Sequence, residues 1–149
     1  MKSLATEIVI NAPRERVWGI LTDFDNHNNW NPFIRSFQGV IREGARFNVT
    51  LQPPGSKPMT FRPKCLVLKE NEEFRWLGHL GFRGLFDGEH IFELMDLGND
   101  KTRLVHRENF RGMLVPLIWK SLEPGTREGF MAMNSSLKEM AEQTESAGV

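Results

Sequence analysis

The chain predicts an α+β fold: a curved antiparallel sheet of about seven strands wrapped around a long C-terminal helix, with two short helices after the first strand. Three observations carry this. Apolar residues alternate with period two in several runs between residues 34 and 110. Helical spacing appears only near the two ends of the chain. Clustered strands followed by one long helix leave that helix to cover one sheet face.

The first strand is predicted over residues 4–11, where Ile8 and Ile10 face away from Glu7 and Val9. Pro13 then suits a first helical turn, because its missing N–H has no partner to lose there. Val17, Trp18, Ile20 and Leu21 form the apolar stripe of a short helix ending near Asp23. The polar stretch DFDNHNNWNPF reads as a second short helix or an ordered loop that closes on Trp30 and Phe33. Strands follow over residues 34–42 and around Phe47, Val49 and Leu51, with a turn at Glu43-Gly44 between them and a break at Pro53-Pro54-Gly55. Residues 59–68 and 73–80 are predicted as a hairpin closed by Glu70-Asn71, and residues 85–95 and 102–110 as a second around Gly98-Asn99-Asp100. Beyond Gly112 a short apolar segment, residues 114–122, is interrupted by Pro116. Pro124 is then predicted to start the long helix, with Phe130, Met133, Asn134, Leu137 and Ala141 on one face. The final SAGV is expected to fray.

Size and composition narrow the classes of function. With 149 residues, 40% of them apolar and 26% charged, the chain predicts one soluble domain over residues 1–149. Lys plus Arg equals Asp plus Glu at 19 each, so no basic footprint for nucleic acid is present. Cys65 is the single cysteine, which excludes an intrachain disulfide and a paired-thiolate metal site. The opening MKSLATEIVI lacks a signal-peptide pattern, and no run reaches the about 18 apolar residues of a membrane span. A cytoplasmic location with no membrane span is the expectation. No Gly-rich phosphate loop, GxSxG elbow or HExxH motif occurs, so neither a cofactor nor a metal is predicted.

Aromatic and ionisable residues share the predicted inner face. Phe61, Cys65, Phe74, Trp76, Phe92, Leu104 and Phe110 alternate inward, and His90, His106 and Glu108 fall in the same alternation. A turn centred on Asn99 pairs Leu94 with Leu104, Phe92 with His106, and His90 with Glu108. Opposed side chains on one sheet face lie about 5 Å apart. At that distance the carboxylate is expected to raise the imidazole pKa. The pair has three readings: a self-satisfied structural contact, a ligand contact, or a general acid–base catalyst built from His90, His106 and Glu108. Trp30 and Phe33 are placed either at a pocket lip or capping the core. Phe74 and Trp76 point inward, and the helix face Phe130, Met133, Asn134 and Leu137 closes the other side. Asn134 is the informative member, because a buried amide needs hydrogen-bond partners.

Three strings carry a resemblance over essentially the whole chain: INAPRERVWGILTDFDNHNNWNPF, GEHIFEL with TRLVHRENFRG, and REGFMAMNSSLKEMAE. The chain resembles the START/Bet v 1-like helix-grip superfamily, and within it the bacterial polyketide cyclase/dehydrase-like branch. The resemblance implies a helix-grip fold and an apolar ligand; some members of the superfamily are cyclases or chaperone cofactors. The expected function is binding or carriage of a small hydrophobic molecule (lipid-, polyketide- or terpenoid-like) between sheet and helix. Trp30, Phe33, Phe61, Phe74, Trp76, Phe92, Phe110, Phe130, Met133, Asn134 and Leu137 are the expected wall. The alternatives are a cyclase/dehydratase-like enzyme using the His–Glu pair, and a protein-interaction module. A homodimer is compatible with all three.

Overall fold

A computed structural model describes residues 1–147. It contains β1 (Lys2–Ile10), α1 (Arg14–Leu21), a 3₁₀ turn (Phe24–Asn29), β2 (Ile34–Gln38), β3 (Asn48–Leu51), β4 (Met59–Phe61), β5 (Lys64–Lys69), β6 (Glu73–Leu80), β7 (Phe86–Gly98), β8 (Lys101–Arg111) and α2 (Val115–Ala147). The α+β helix-grip architecture is the predicted one. The expected fraying at Gly148 and Val149 lies outside the described residues. Among the described residues no helix is long and apolar enough to cross a membrane.

The strands form two antiparallel sheets, β1-β8-β7-β6-β5 and β2-β3-β4. The run expected as one strand over residues 59–68 is split at Arg62-Pro63. Pro63 has no N–H for a ladder, and the chain crosses there from the small sheet to the large one. Its carbonyl still accepts from Phe47 N at 3.1 Å, and Cys65 N donates to the Ala45 carbonyl at 2.9 Å, so the sheets are stitched at the crossing. The β5–β6 turn holds three residues and not two, because Lys69 pairs with Glu73 and Asn71 takes a left-handed φ of 65°.

The β7–β8 hairpin has the register expected from the sequence, with Leu94 opposite Leu104, Phe92 opposite His106 and His90 opposite Glu108. Asn99 and Asp100, at φ 54° and 57°, make the tight primed turn whose twist matches the strands. The solvent face of β6, β7 and β8 is charged. Arg107 Nε donates to Glu93 at 2.8 Å and Arg75 Nε to Glu73 at 2.7 Å, which leaves the opposite face to the core.

The C-terminal helix corrects the expectation of a break before Pro124. It is continuous over 33 residues with Pro124 inside it. Proline removes one helical N–H and thereby frees the carbonyl four residues back, that of Lys120. Lys120 and Pro124 both lie on the exposed side, where water can take that carbonyl, while Ile118, Leu122 and Thr126 keep helical spacing on the inner side. Thr126 Oγ1 also donates to the Leu122 carbonyl at 2.9 Å. Replacing Pro124 by Ala restores the missing bond and is expected to stabilise the fold by about 1–3 kcal/mol. Thermal unfolding of P124A checks this; an unchanged or lower Tm contradicts it.

Candidate functional site

The space between the sheets and α2 divides into a filled half and an open half. In the filled half, Phe130 stacks on His106 with centroids 3.9 Å apart and planes 10° apart. Phe92 packs on His106 and in turn on Phe74, and Met133, Leu137, Phe74 and Phe92 are all fully buried. Trp30 packs against His27, 4.8 Å between centroids, and belongs to the core edge. None of these residues lines the cavity of the open half. Aromatic bulk delivered by α2 and by β6–β7 simply occupies the volume, which period-two patterning cannot distinguish from lining it.

The open half holds a cavity of about 250 Å³. Of the residues singled out in the sequence, Phe33, Phe61, Trp76, Phe110 and Glu108 line it. Sequence reasoning missed several others. Leu51 and Met59 come from the small sheet, and Ile118 and Leu122 from the first turns of α2, the segment expected to lie apart from the helix. Gly88 carries no sequence signal, yet it makes room for the acid: a Cβ there would collide with Glu108 Oε2. A Cβ at Gly129 would strike the Phe33 ring, so that glycine lets the helix close on the cavity's inner wall.

Glu108 is the one acidic side chain in the described lining, and 13% of its side chain is exposed. Behind it stands a row of buried polar groups. His90 Nδ1 is 3.4 Å from Glu108 Oε1 and has no hydrogen bond of its own. His90 Nε2 and His106 Nε2 are 2.7 Å apart. His106 Nδ1 meets Asn134 Oδ1 at 2.8 Å, and Asn134 Nδ2 donates to Thr6 Oγ1 at 2.9 Å. The Asn134 amide thus has its partners within the protein. Thr6 is on the inner face of β1, in the same alternation as Ile8 and Ile10, and is a residue that sequence reasoning missed.

The expected rise of the imidazole pKa is not what this environment produces. Burial away from water disfavours both charged forms more than their attraction favours them. It pushes His90 down to about 3, and His106 well below its ordinary value with the neighbouring His90 adding to the effect. The same burial pushes the Glu108 carboxyl up to about 8. At neutral pH the row is therefore uncharged. A second buried histidine, His27, is pushed down to about 4 and serves structure. Its Nε2 donates to the Leu21 carbonyl at 2.7 Å, and its Nδ1 accepts from Asn31 Nδ2 at 3.0 Å. Asn31 Oδ1 in turn accepts from the backbone N–H groups of Phe33 and Ile34, both at 2.9 Å. The HNNWNPF string is thus a lock that sets Phe33 in the cavity wall.

Among the described residues no group of three His, Cys, Asp or Glu side chains could hold a metal ion. Cys65 is buried and its thiol is pushed up to about 11 by burial and by Glu43, which leaves it unreactive.

A family model described as polyketide cyclase / dehydrase and lipid transport matches residues 1–143. No curated protein matches the chain. Among solved structures, the Zhui aromatase/cyclase from Streptomyces sp. R1128 is similar at 13% identity and TM-score 0.78, covering 97% of this chain and 95% of that one. A START superfamily protein from Mycobacterium smegmatis is 20% identical with TM-score 0.73, covering 95% and 98%. A norcoclaurine synthase point mutant from Thalictrum flavum, in complex with a transition state analogue, is 12% identical with TM-score 0.73, covering 97% and 96%. At these identities the likeness establishes the fold.

The raised Glu108 pKa makes stability pH-dependent with a defined sign. Between the ordinary carboxyl value of 4.5 and about 8, the folded state keeps a proton that the unfolded chain has released. Rising pH in that window therefore costs stability, on the order of 5 kcal/mol over its full width. The three lowered histidines act oppositely. Their contribution is present above 6.5 and lost as pH falls through their folded values. In E108Q the amide supplies the same donor to His90 without titrating. Its Tm is expected to hold between about pH 6.5 and 8.5 while that of the wild type falls; parallel curves contradict the assignment.

Proposed function

The chain belongs to the polyketide cyclase / dehydrase and lipid transport family, and we propose that it binds a small, largely apolar molecule in the cavity between the small sheet, β6–β8 and α2. The observation that carries the reading is an apolar hollow of about 250 Å³ with a single carboxyl in its wall. An apolar cavity of about 150 Å³ stays dry and accepts one benzene ring. The larger volume suits a molecule of about two fused rings. Burying on the order of 250 Å² of ligand surface contributes about 6 kcal/mol before the losses of association. Phe33, Phe61, Trp76 and Phe110 supply the contact, and Glu108 orients the one polar group.

A second reading is proton transfer by Glu108 to or from a bound substrate, the cyclase- or dehydratase-like alternative. What favours it is a neutral acid facing the cavity at physiological pH. His90 and His106 are sealed behind Glu108, so the direct catalytic group in this reading is the carboxyl and not an imidazole.

Native mass spectrometry of freshly purified protein tests the binding reading, with L122W as control. Leu122 is half-buried on α2 and faces the cavity, so an indole there fills the space while folding is retained. The expected result is an apolar adduct, or binding of an added two-ring probe, on the wild type and at least tenfold weaker binding on L122W. Equal binding by folded L122W would place the ligand elsewhere.

A further inference from the structure

The binding reading above is the premise here, and the row of polar groups behind Glu108 specifies what chemistry the cavity takes. The direction of every hydrogen bond in that row follows from its far end. Thr6 Oγ1 lies 2.8 Å from the His106 backbone carbonyl, which can only accept, so the hydroxyl donates there. Its oxygen is then an acceptor for the Asn134 amide nitrogen. This orients the amide and leaves Asn134 Oδ1 facing His106 Nδ1, which must carry the proton.

A neutral imidazole has one N–H. His106 Nε2 is therefore a lone pair, and His90 Nε2 donates to it across 2.7 Å. By the same rule His90 Nδ1 is also a lone pair, buried and 3.4 Å from Glu108 Oε1. An ionised carboxylate would set a negative charge against that lone pair. A protonated carboxyl puts a hydrogen between the two atoms. Full burial of both imidazoles removes the alternative of a cation in the row.

From these contacts we infer that Thr6 and Asn134, neither of which lines the cavity, are positioning residues for the cavity's acid: through His106 and His90 they hold Glu108 as a neutral carboxyl whose proton points inward and whose Oε2 accepts a hydrogen bond from an uncharged, hydroxyl-bearing ligand. Oε2 lies over Gly88, itself part of the cavity wall. To ionise Glu108 against a donor on His90, each proton in the row must move and the Asn134 amide must turn over. Thr6 resists that reversal because its hydroxyl is committed to the His106 carbonyl. The other titratable group on the cavity is His79 of β6, paired to Asp87 of β7 at 2.7 Å, and on the α2 side the neighbouring polar residue is the uncharged Thr126.

Three probes of one shape separate the outcomes: 2-naphthol donates a hydrogen bond, 2-methoxynaphthalene cannot, and 2-naphthoate carries a charge. By calorimetry at about pH 6.5 the wild type is expected to bind 2-naphthol about tenfold more tightly than the methyl ether, with the anion weakest. Equal affinity for naphthol and ether overturns the ligand class, and preference for the anion overturns the neutral carboxyl. The positioning role is read separately from the ¹³C titration of the Glu108 carboxyl. In T6V the midpoint is expected to fall by about one unit and T6S to restore it, with T6A giving the same readout if T6V does not fold. An unmoved midpoint in the folded Thr6 variants overturns the positioning role. Failure of all three probes to bind rejects the cavity as a ligand site, while the carboxyl titration still decides what Thr6 does.

Discussion

The contact on which the rest depends is the 2.7 Å hydrogen bond between two buried imidazoles, His90 and His106, on neighbouring strands. Two histidines without water are stable only as neutral rings with complementary tautomers, one donating and one accepting. That requirement propagates in both directions. Toward β1 and α2 it needs Asn134 and Thr6 as anchors, tying the helix to the sheet through polar atoms in an otherwise apolar interior. Toward the cavity it leaves a lone pair facing Glu108 and so favours the protonated acid. Structure and site are held by the same row of atoms.

Packing decides where the hollow lies. Phe130 covers His106 so closely that ligand cannot reach the imidazoles, and Met133 and Leu137 extend the seal along α2. Earlier on the helix, Ile118 and Leu122 stand off from the sheets, and the cavity opens there. The His27–Asn31 lock sets Phe33 against Gly129, which marks the boundary between the two halves. One side of Glu108 thus faces fully buried imidazoles and the other a space that a small molecule can enter.

Much of this was readable before any coordinates. Alternation placed His90, His106, Glu108, Trp76 and Phe110 on one face, and the Gly98–Asp100 turn fixed the register that sets His90 opposite Glu108. The continuous α2 was not readable, because a proline in helical sequence is ambiguous until it is known which side faces water. The split between lining and filling aromatics was hidden for a similar reason. Phe74 and Phe110 have the same local pattern, and only the tertiary packing makes one core, under Phe24, Phe37 and Phe47, and the other wall. The direction of the pKa shifts also escaped sequence reasoning. A His–Glu pair raises or lowers its pKa values according to how much water it keeps, and spacing along strands contains no measure of that.

The central claim is the neutral, one-way polarity of the buried row, and the side-chain ¹⁵N resonances of His90 and His106 report it directly. At about pH 7 the account predicts His106 with its proton on Nδ1 and His90 with its proton on Nε2, both uncharged. The opposite tautomers, or an imidazolium at either ring, would contradict it.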